Sequence, residues 1–242
     1  MQQASLIFTN SETTRHEVIR QYECAPDRVV AAPYAPIRIL CKQSCFSESP
    51  VAGLQEGHFY LYPSAWALHK GFRTLTEALE MAEHIDPVVV TCGDPLSGIE
   101  GAVPGVAALR RELEPRWRKL VATGRLKIFS YMPDQQMLWL SRKCKALILP
   151  SDYEGYGLPL AEAVYHHRPA IVSSIPAHCE ILDRYPQYRL ATLFQPGAAE
   201  ELALCLNRSE AETSPETTGW AEEIDSTWSW MHTAGRILAA LG

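Results

Sequence analysis

Residues 146–163 read ALILPSDYEGYGLPLAEA, and this stretch decides the fold. Four aliphatic residues, Ala146–Leu149, predict a short buried strand that ends at Pro150. A loop with two glycines follows, and Pro159 fits the first position of a helix over Leu160–His167. Strand, glycine-bearing loop and helix make one step of an open α/β sheet. In such sheets ligands bind beyond the carboxyl ends of the strands, so this loop stands where a ligand would.

Working outward, the same alternation recurs. Short aliphatic runs at Ala4–Thr9, Arg28–Ala32, Phe59–Tyr62, Val88–Cys92, Leu126–Ser130, Ala170–Ser173 and Ala191–Phe194 predict strands covered on both faces. Helical patterns lie between them. Gly71–His84 places Phe72, Leu75, Leu79 and Ala82 on one stripe. Val106–Thr123 predicts a highly charged helix kinked or split by Pro115. Asp134 is the expected N-cap of Gln135–Cys144, with Met137, Leu138 and Leu140 inward. Ala199–Leu206 and Trp228–Leu241 close the chain, separated by a polar loop at Ser209–Thr218. Strand and helix repeated about six times imply a doubly wound, mostly parallel, Rossmann-like sheet.

The bulk numbers narrow the function. Of 242 residues, 47% are apolar and 21% charged, an ordinary globular mixture. A net charge of -6 argues against a nucleic-acid binder, which needs a basic excess to release counterions. Seven cysteines, with only Cys41 and Cys45 close together, read as buried thiols in a reducing cytosol rather than a disulfide or zinc scaffold. The N-terminus has no signal-peptide pattern, and no run approaches the ~20 apolar residues of a membrane span. His166 and His167 sit at a helix end, where they can satisfy carbonyls and the dipole, and with His178 and Cys179 they are not read as a metal cluster. No G-x-G-x-x-G follows a predicted strand, which disfavours a nicotinamide-dependent dehydrogenase.

The chemistry concentrates in the loop. Gly155 and Gly157 let backbone approach a bound group. The amides of Gly155, Tyr156, Gly157 and Leu158, beside a helix N-terminus, can aim several N–H donors at an anion. Glu154 and Glu162, with seven residues between them, put one carboxylate in the loop and one about a turn into the helix. Paired carboxylates suggest acid–base work. A carboxylate is also the natural acceptor for two adjacent sugar hydroxyls, and that role fits Glu162 and a ribose diol.

The segment LILPSDYEGYGLPLAEA resembles the PS-x-x-EG[FY]G-x-P-x-x-EA signature of the family 4 glycosyltransferases, which have two Rossmann-like domains (the GT-B fold). TNSETTRHEVIRQYECAPDRVVAAP, FYLYPSAWALHKGFRTLTEAL, LKIFSYMPDQQMLWLSRKCKALILPS and TWSWMHTAGRIL are similar to further stretches of that family, in order. The resemblance implies a retaining, metal-independent transfer of a sugar from a nucleoside diphosphate to a glycan or lipid-linked acceptor. It carries catalytic roles to Lys70, at the donor phosphates, and Glu154, near the transferred sugar. Ser64 stands where the family often has a second basic residue; Gly93 lines the cleft, and Tyr131 and Met132 lie where the base is held. The chain lacks any Asp-x-Asp pair, in keeping with a site without metal. His69 beside Lys70 resembles a subgroup rich in mannosyltransferases, which favours GDP-mannose over UDP-sugars; no cofactor is implied.

The resemblance also implies an organisation. Residues 1–40 would be the end of an acceptor-binding N-terminal domain, 41–225 the nucleotide-sugar domain, and 226–242 a helix crossing back to the first. Roughly 150 residues of the acceptor domain would then lie outside this chain. An excised piece, a naturally split enzyme and a part of a polyprotein stay open as origins. Trp228 and Trp230 are expected to be partly exposed toward that partner, which would also supply any peripheral membrane contact. A sugar-nucleotide epimerase or phosphorylase of the same fold, or a non-catalytic subunit that docks on a partner, are the alternatives.

Overall fold

The computed structural model describes residues 4–35, 49, 51–83, 85–91, 103–129, 132–208, 224 and 228–242. Two parallel sheets organise them. The smaller pairs β1 (Ile7–Thr9) with β2 (Val29–Ala31), joined by α1 (Glu12–Tyr22). The larger has six strands: β3 (Tyr60–Tyr62), β4 (Val88–Val90), β5 (Leu126–Ile128), β6 (Ala146–Leu149), β7 (Ala170–Ser173) and β8 (Ala191–Phe194). Their order is β5-β4-β3-β6-β7-β8, all pairs parallel. The chain therefore winds outward from β3 in one direction and from β6 in the other. The doubly wound reading holds.

Alternation along each strand distributes its side chains between two cores. Leu61, Val89, Leu147, Leu149 and Val172 face one cluster, with Trp139 and Leu140 of α4 (Asp134–Lys143), Leu160 and Val164 of α5 (Leu158–Tyr165) and Ile181 of α6 (Pro176–Arg184). Tyr60, Tyr62, Val88, Val90, Ile148 and Ile171 face the other. There they meet Leu75 and Leu79 of α2 (Phe72–Met81), Leu113 and Trp117 of α3 (Pro104–Ala122) and Leu202 and Leu206 of α7 (Ala199–Arg208). Three layers result, helices over sheet over helices. The last helix, α8 (Trp230–Leu241), lies on β2: the Thr233 hydroxyl donates to the Pro33 carbonyl and Arg236 to the Ala31 carbonyl.

Several expectations are corrected. Pro115 neither kinks nor splits α3, which runs unbroken from Pro104 to Ala122. The proline sits on the exposed face while Leu113, Trp117 and Leu120 pin the opposite face to the sheet, so the lost hydrogen bond faces water. Asp134 is the first helical residue of α4; Pro133 takes the cap position and makes no side-chain cap bond. Helix α5 starts at Leu158, one residue before Pro159. Helix α6 is missing from the sequence reading, being short and opened by a proline. Trp228 is 3% exposed, not waiting in solvent, because its ring stacks on Tyr185 and its indole N–H donates to the Tyr34 carbonyl. Trp230, 45% exposed, fits the expectation. Cys41, Cys45 and the Ser209–Thr218 loop lie outside the described residues.

One close approach fixes how the segments after β3 and β6 sit against each other. Gly71, at φ +71°, joins the turn at Leu68–Lys70 to α2, and a Cβ there would lie 1.8 Å from the Pro150 carbonyl oxygen at the end of β6. Gly124, at φ +74°, has nothing within 4 Å of its Cβ position. Alanine at 124 is expected to cost about 1 kcal/mol, the backbone strain alone. Alanine at 71 adds the clash and should cost more than about 3 kcal/mol. Urea denaturation of both variants checks this; equal losses would refute the close-approach argument.

Candidate functional site

Strands β3 and β6 are neighbours from which the chain winds in opposite directions, and the crevice beyond their carboxyl ends is the topological switch point. The segment after β3 carries Ser64 and Lys70; the segment after β6 carries Glu154 and the glycines. The two are sewn together. The Asp152 amide donates across to the His69 carbonyl at 2.8 Å, while within the first segment the Tyr62 hydroxyl holds the Lys70 carbonyl at 2.7 Å.

Lys70 Nζ lies 2.8 and 2.9 Å from the two oxygens of Glu154, with the two side chains 23% and 11% exposed. The Ser151 hydroxyl donates to the same carboxylate at 2.8 Å. An ammonium has three donors, so one N–H of Lys70 is left over after Glu154 has taken two. Beyond Glu154 the turn runs to Gly157, whose φ of +103° is open to glycine and whose residue caps α5. The amides of Gly155, Tyr156 and Gly157 have no acceptor among the described residues. Leftover N–H donors from turn and lysine thus gather at the positive end of a helix.

Glu162 is the fifth residue of α5. Its carboxylate has no hydrogen-bond or ion-pair partner among the described residues, and burial pushes its pKa up to about 7. Such a group suits ligand hydroxyls, which would supply the missing donors.

Other candidates sit differently. The Tyr156 side chain does not enter the crevice: its ring packs between Tyr34 and Trp228, and its hydroxyl donates to the Tyr34 carbonyl, so only its amide belongs to the turn. Met132 is buried in the core beside α4. Leu158 opens α5 and packs on the same core. The Ser64 hydroxyl, half-buried, donates to the Ala65 carbonyl. Gly93 and Tyr131 lie outside the described residues.

The sequence reading also missed residues that reach this turn. The carbonyl of Gly155 accepts from the Ser11 hydroxyl at 2.6 Å and from the Thr14 hydroxyl at 2.9 Å. Glu180 of α6 accepts from the amides of Glu12 and Thr13 at 2.9 and 2.8 Å, capping α1 with a charge opposite to its dipole. No local pattern in the sequence points to a carboxylate 168 residues away.

Residues 49–217 match the family model described as "Glycosyl transferases group 1". The chain is 27% identical over 189 residues to the O-antigen chain mannosyltransferase B of Escherichia coli, covering 74% of this chain and 46% of that protein. The structure of HepE of Anabaena with UDP and glucose matches at a TM-score of 0.76 and 19% identity, over 98% of this chain and 63% of that one. Sucrose-phosphate synthase of Thermosynechococcus elongatus matches at 0.66 and 18%, over 98% and 58%. The chain thus spans about half the length of the curated relative and under two thirds of these structures. No helix of the described residues is long and apolar enough to cross a membrane.

The raised pKa of Glu162 has a consequence for stability. An acid whose folded pKa exceeds its unfolded value near 4.5 favours the native state while protonated, and stability falls as pH rises from there to about 7. Glu162→Gln is expected to abolish this loss. At 1.36 kcal/mol per unit the variant should gain, at most, roughly 3 kcal/mol on wild type between those limits. Melting profiles across that range measure it; parallel curves would contradict the assignment.

Proposed function

The chain belongs to the group 1 glycosyl transferases, and from that premise we propose that it is the donor-binding half of a retaining, metal-independent hexosyltransferase. The observation that carries the proposal is the meeting of Lys70, Glu154 and the free turn amides at the β3/β6 switch point. Lys70 and the amides of Gly155, Tyr156, Gly157 and Leu158 take the diphosphate of a nucleotide sugar. Glu162 takes the ribose diol. Glu154 holds Lys70 and borders the transferred sugar, and the Ser64 hydroxyl reaches the phosphates. By the resemblance Gly93 lines the donor cleft and Tyr131 the base site, with Met132 behind it in the core.

In this reading the bond between the anomeric carbon and the diphosphate breaks, and its electron pair leaves on the phosphate oxygen. Lys70 and the N–H donors stabilise the charge that builds there. The acceptor hydroxyl attacks from the face the diphosphate leaves, and its proton passes to the departing oxygen. The acceptor, a glycan or lipid-linked sugar, is held by a second domain or subunit. GDP-mannose is the favoured donor, in line with the name of the E. coli relative, with UDP-sugars as the alternative. The separate β1–β2 sheet at residues 7–31 supports assigning residues 1–40 to the acceptor half, 41–225 to the donor domain and 226–242 to the returning helix.

Calorimetry with GDP, UDP and ADP against their nucleosides tests the site. Lys70→Ala should lower affinity for the diphosphate by about ten- to a hundredfold and leave the nucleoside unaffected, since charge-assisted bonds are worth roughly 1.5–3 kcal/mol. Equal losses for both would remove the phosphate role. Glu162→Ala should weaken both, by about 1–3 kcal/mol. Wild-type affinity should climb as pH rises through about 7, because the ionised carboxylate is the better acceptor for two hydroxyls. A pH-independent affinity would argue against the diol contact.

A further inference from the structure

Beneath the ion pair runs a chain of buried polar groups that the proposed reaction does not use. The Ser151 hydroxyl donates to Glu154 Oε1 at 2.8 Å. The backbone carbonyl of Ser151 accepts from the Ser173 hydroxyl at the end of the neighbouring strand β7. The carbonyl of Ser173 lies 2.9 Å from His178 Nδ1, near the start of α6. Ser151, Ser173 and His178 are 1%, 0% and 0% exposed.

A carbonyl only accepts, so Nδ1 must carry the proton, and burial lowers the pKa of the ring and keeps it neutral. Nε2 is then a bare acceptor. It is buried and has no partner among the described residues, an arrangement that costs of order 1–3 kcal/mol. The ring lies directly under the glycine turn: a Cβ on Gly157 would stand 3.2 Å from His178 Cδ2 and 3.6 Å from Nε2. One histidine thus supports Gly157 by contact and, through Ser173 and Ser151, fixes the segment that aims Glu154.

We propose that Ser151, Ser173 and His178 are positioning residues, a buried relay that holds the Glu154 carboxylate, and through it the Lys70 ammonium, in register with the glycine turn. The proposal rests on the reading of Lys70 and the turn as the diphosphate site. Neither serine is exposed enough to touch a ligand, so their effect must pass through Glu154.

The test uses the full chain, with GDP and UDP as probes and guanosine and uridine as controls. Ser151→Ala should lower diphosphate affinity roughly tenfold, the worth of a hydrogen bond to a charged group, with nucleoside affinity unchanged. Ser151→Thr, which keeps the hydroxyl, should restore affinity to within about twofold of wild type; a purely volumetric role would make the larger threonine the worse variant. Two-bond proton–nitrogen spectra of the wild-type protein should show His178 as the Nδ1–H tautomer. Wild-type diphosphate affinity in Ser151→Ala, or an Nε2–H tautomer at His178, overturns the relay. Should Ser151→Ala not fold, Ser151→Cys, a weak donor of similar size, must show the same selective loss or the relay is refuted. Lys70→Ala separates the two levels: if it leaves diphosphate binding intact the site reading itself falls, whereas a loss there with none at Ser151 refutes the relay alone.

Discussion

The ion pair between Lys70 and Glu154 is the interaction around which the rest is arranged. Its partners are 84 residues apart and meet because β3 and β6 are hydrogen-bonded neighbours at the centre of the sheet. Taking two charges out of water is costly, and the attraction between them repays this only with good geometry and additional hydrogen bonds. Both conditions are met. The lysine binds both carboxylate oxygens, Ser151 adds a donor, and a backbone bond and a glycine contact fix the two supporting turns to each other. A pair this constrained is weak evidence for stability. It is better evidence for a charge placed ready at one spot.

A second constraint ties the small sheet to the large one. Helix α1 meets α6 through Glu180, whose two oxygens take three donors from residues Glu12 and Thr13. Helix α8 returns to β2 from the far end of the chain, and Trp228 is locked among Tyr34, Tyr156 and Tyr185. The beginning and the end of the sequence therefore fold against each other beside the glycine turn. Stacked and edge-on aromatic rings, with the Trp228 indole and Tyr156 hydroxyl both bonded to the Tyr34 carbonyl, hold this seam together.

Much of the larger sheet was legible in the sequence because buried parallel strands are short aliphatic runs. The fully buried Ala146–Leu149 and Ala170–Ser173 have the expected bounds in the structure, as does Ala191–Phe194, although at the sheet edge it is mostly exposed. Strand order was not legible, since hydrophobic pattern says which residues are buried and not beside whom. Pro115 and Asp134 misled for the same reason: a local preference was outweighed by packing in one case and by a one-residue shift of the helix start in the other. At the site, residue type and spacing singled out Glu154 and Glu162, and the family resemblance added Lys70. The supporting groups, Ser11, Thr14, Ser173, His178 and Glu180, were invisible because each acts across a contact between distant segments. Tyr156 shows the converse. A residue inside a functional motif sends its side chain to the core and leaves only backbone behind.

The two hydroxyls on the Gly155 carbonyl have a stereochemical corollary. A trans peptide is a rigid plate in which C=O and the following N–H point in opposite directions. Ser11 and Thr14, by gripping the oxygen of the plate between Gly155 and Tyr156, also orient the Tyr156 hydrogen on its opposite edge. Any tilt of α1 relative to the large sheet must rotate that plate and swing its dipole. The first turn of one helix thus acts as a lever on a single amide.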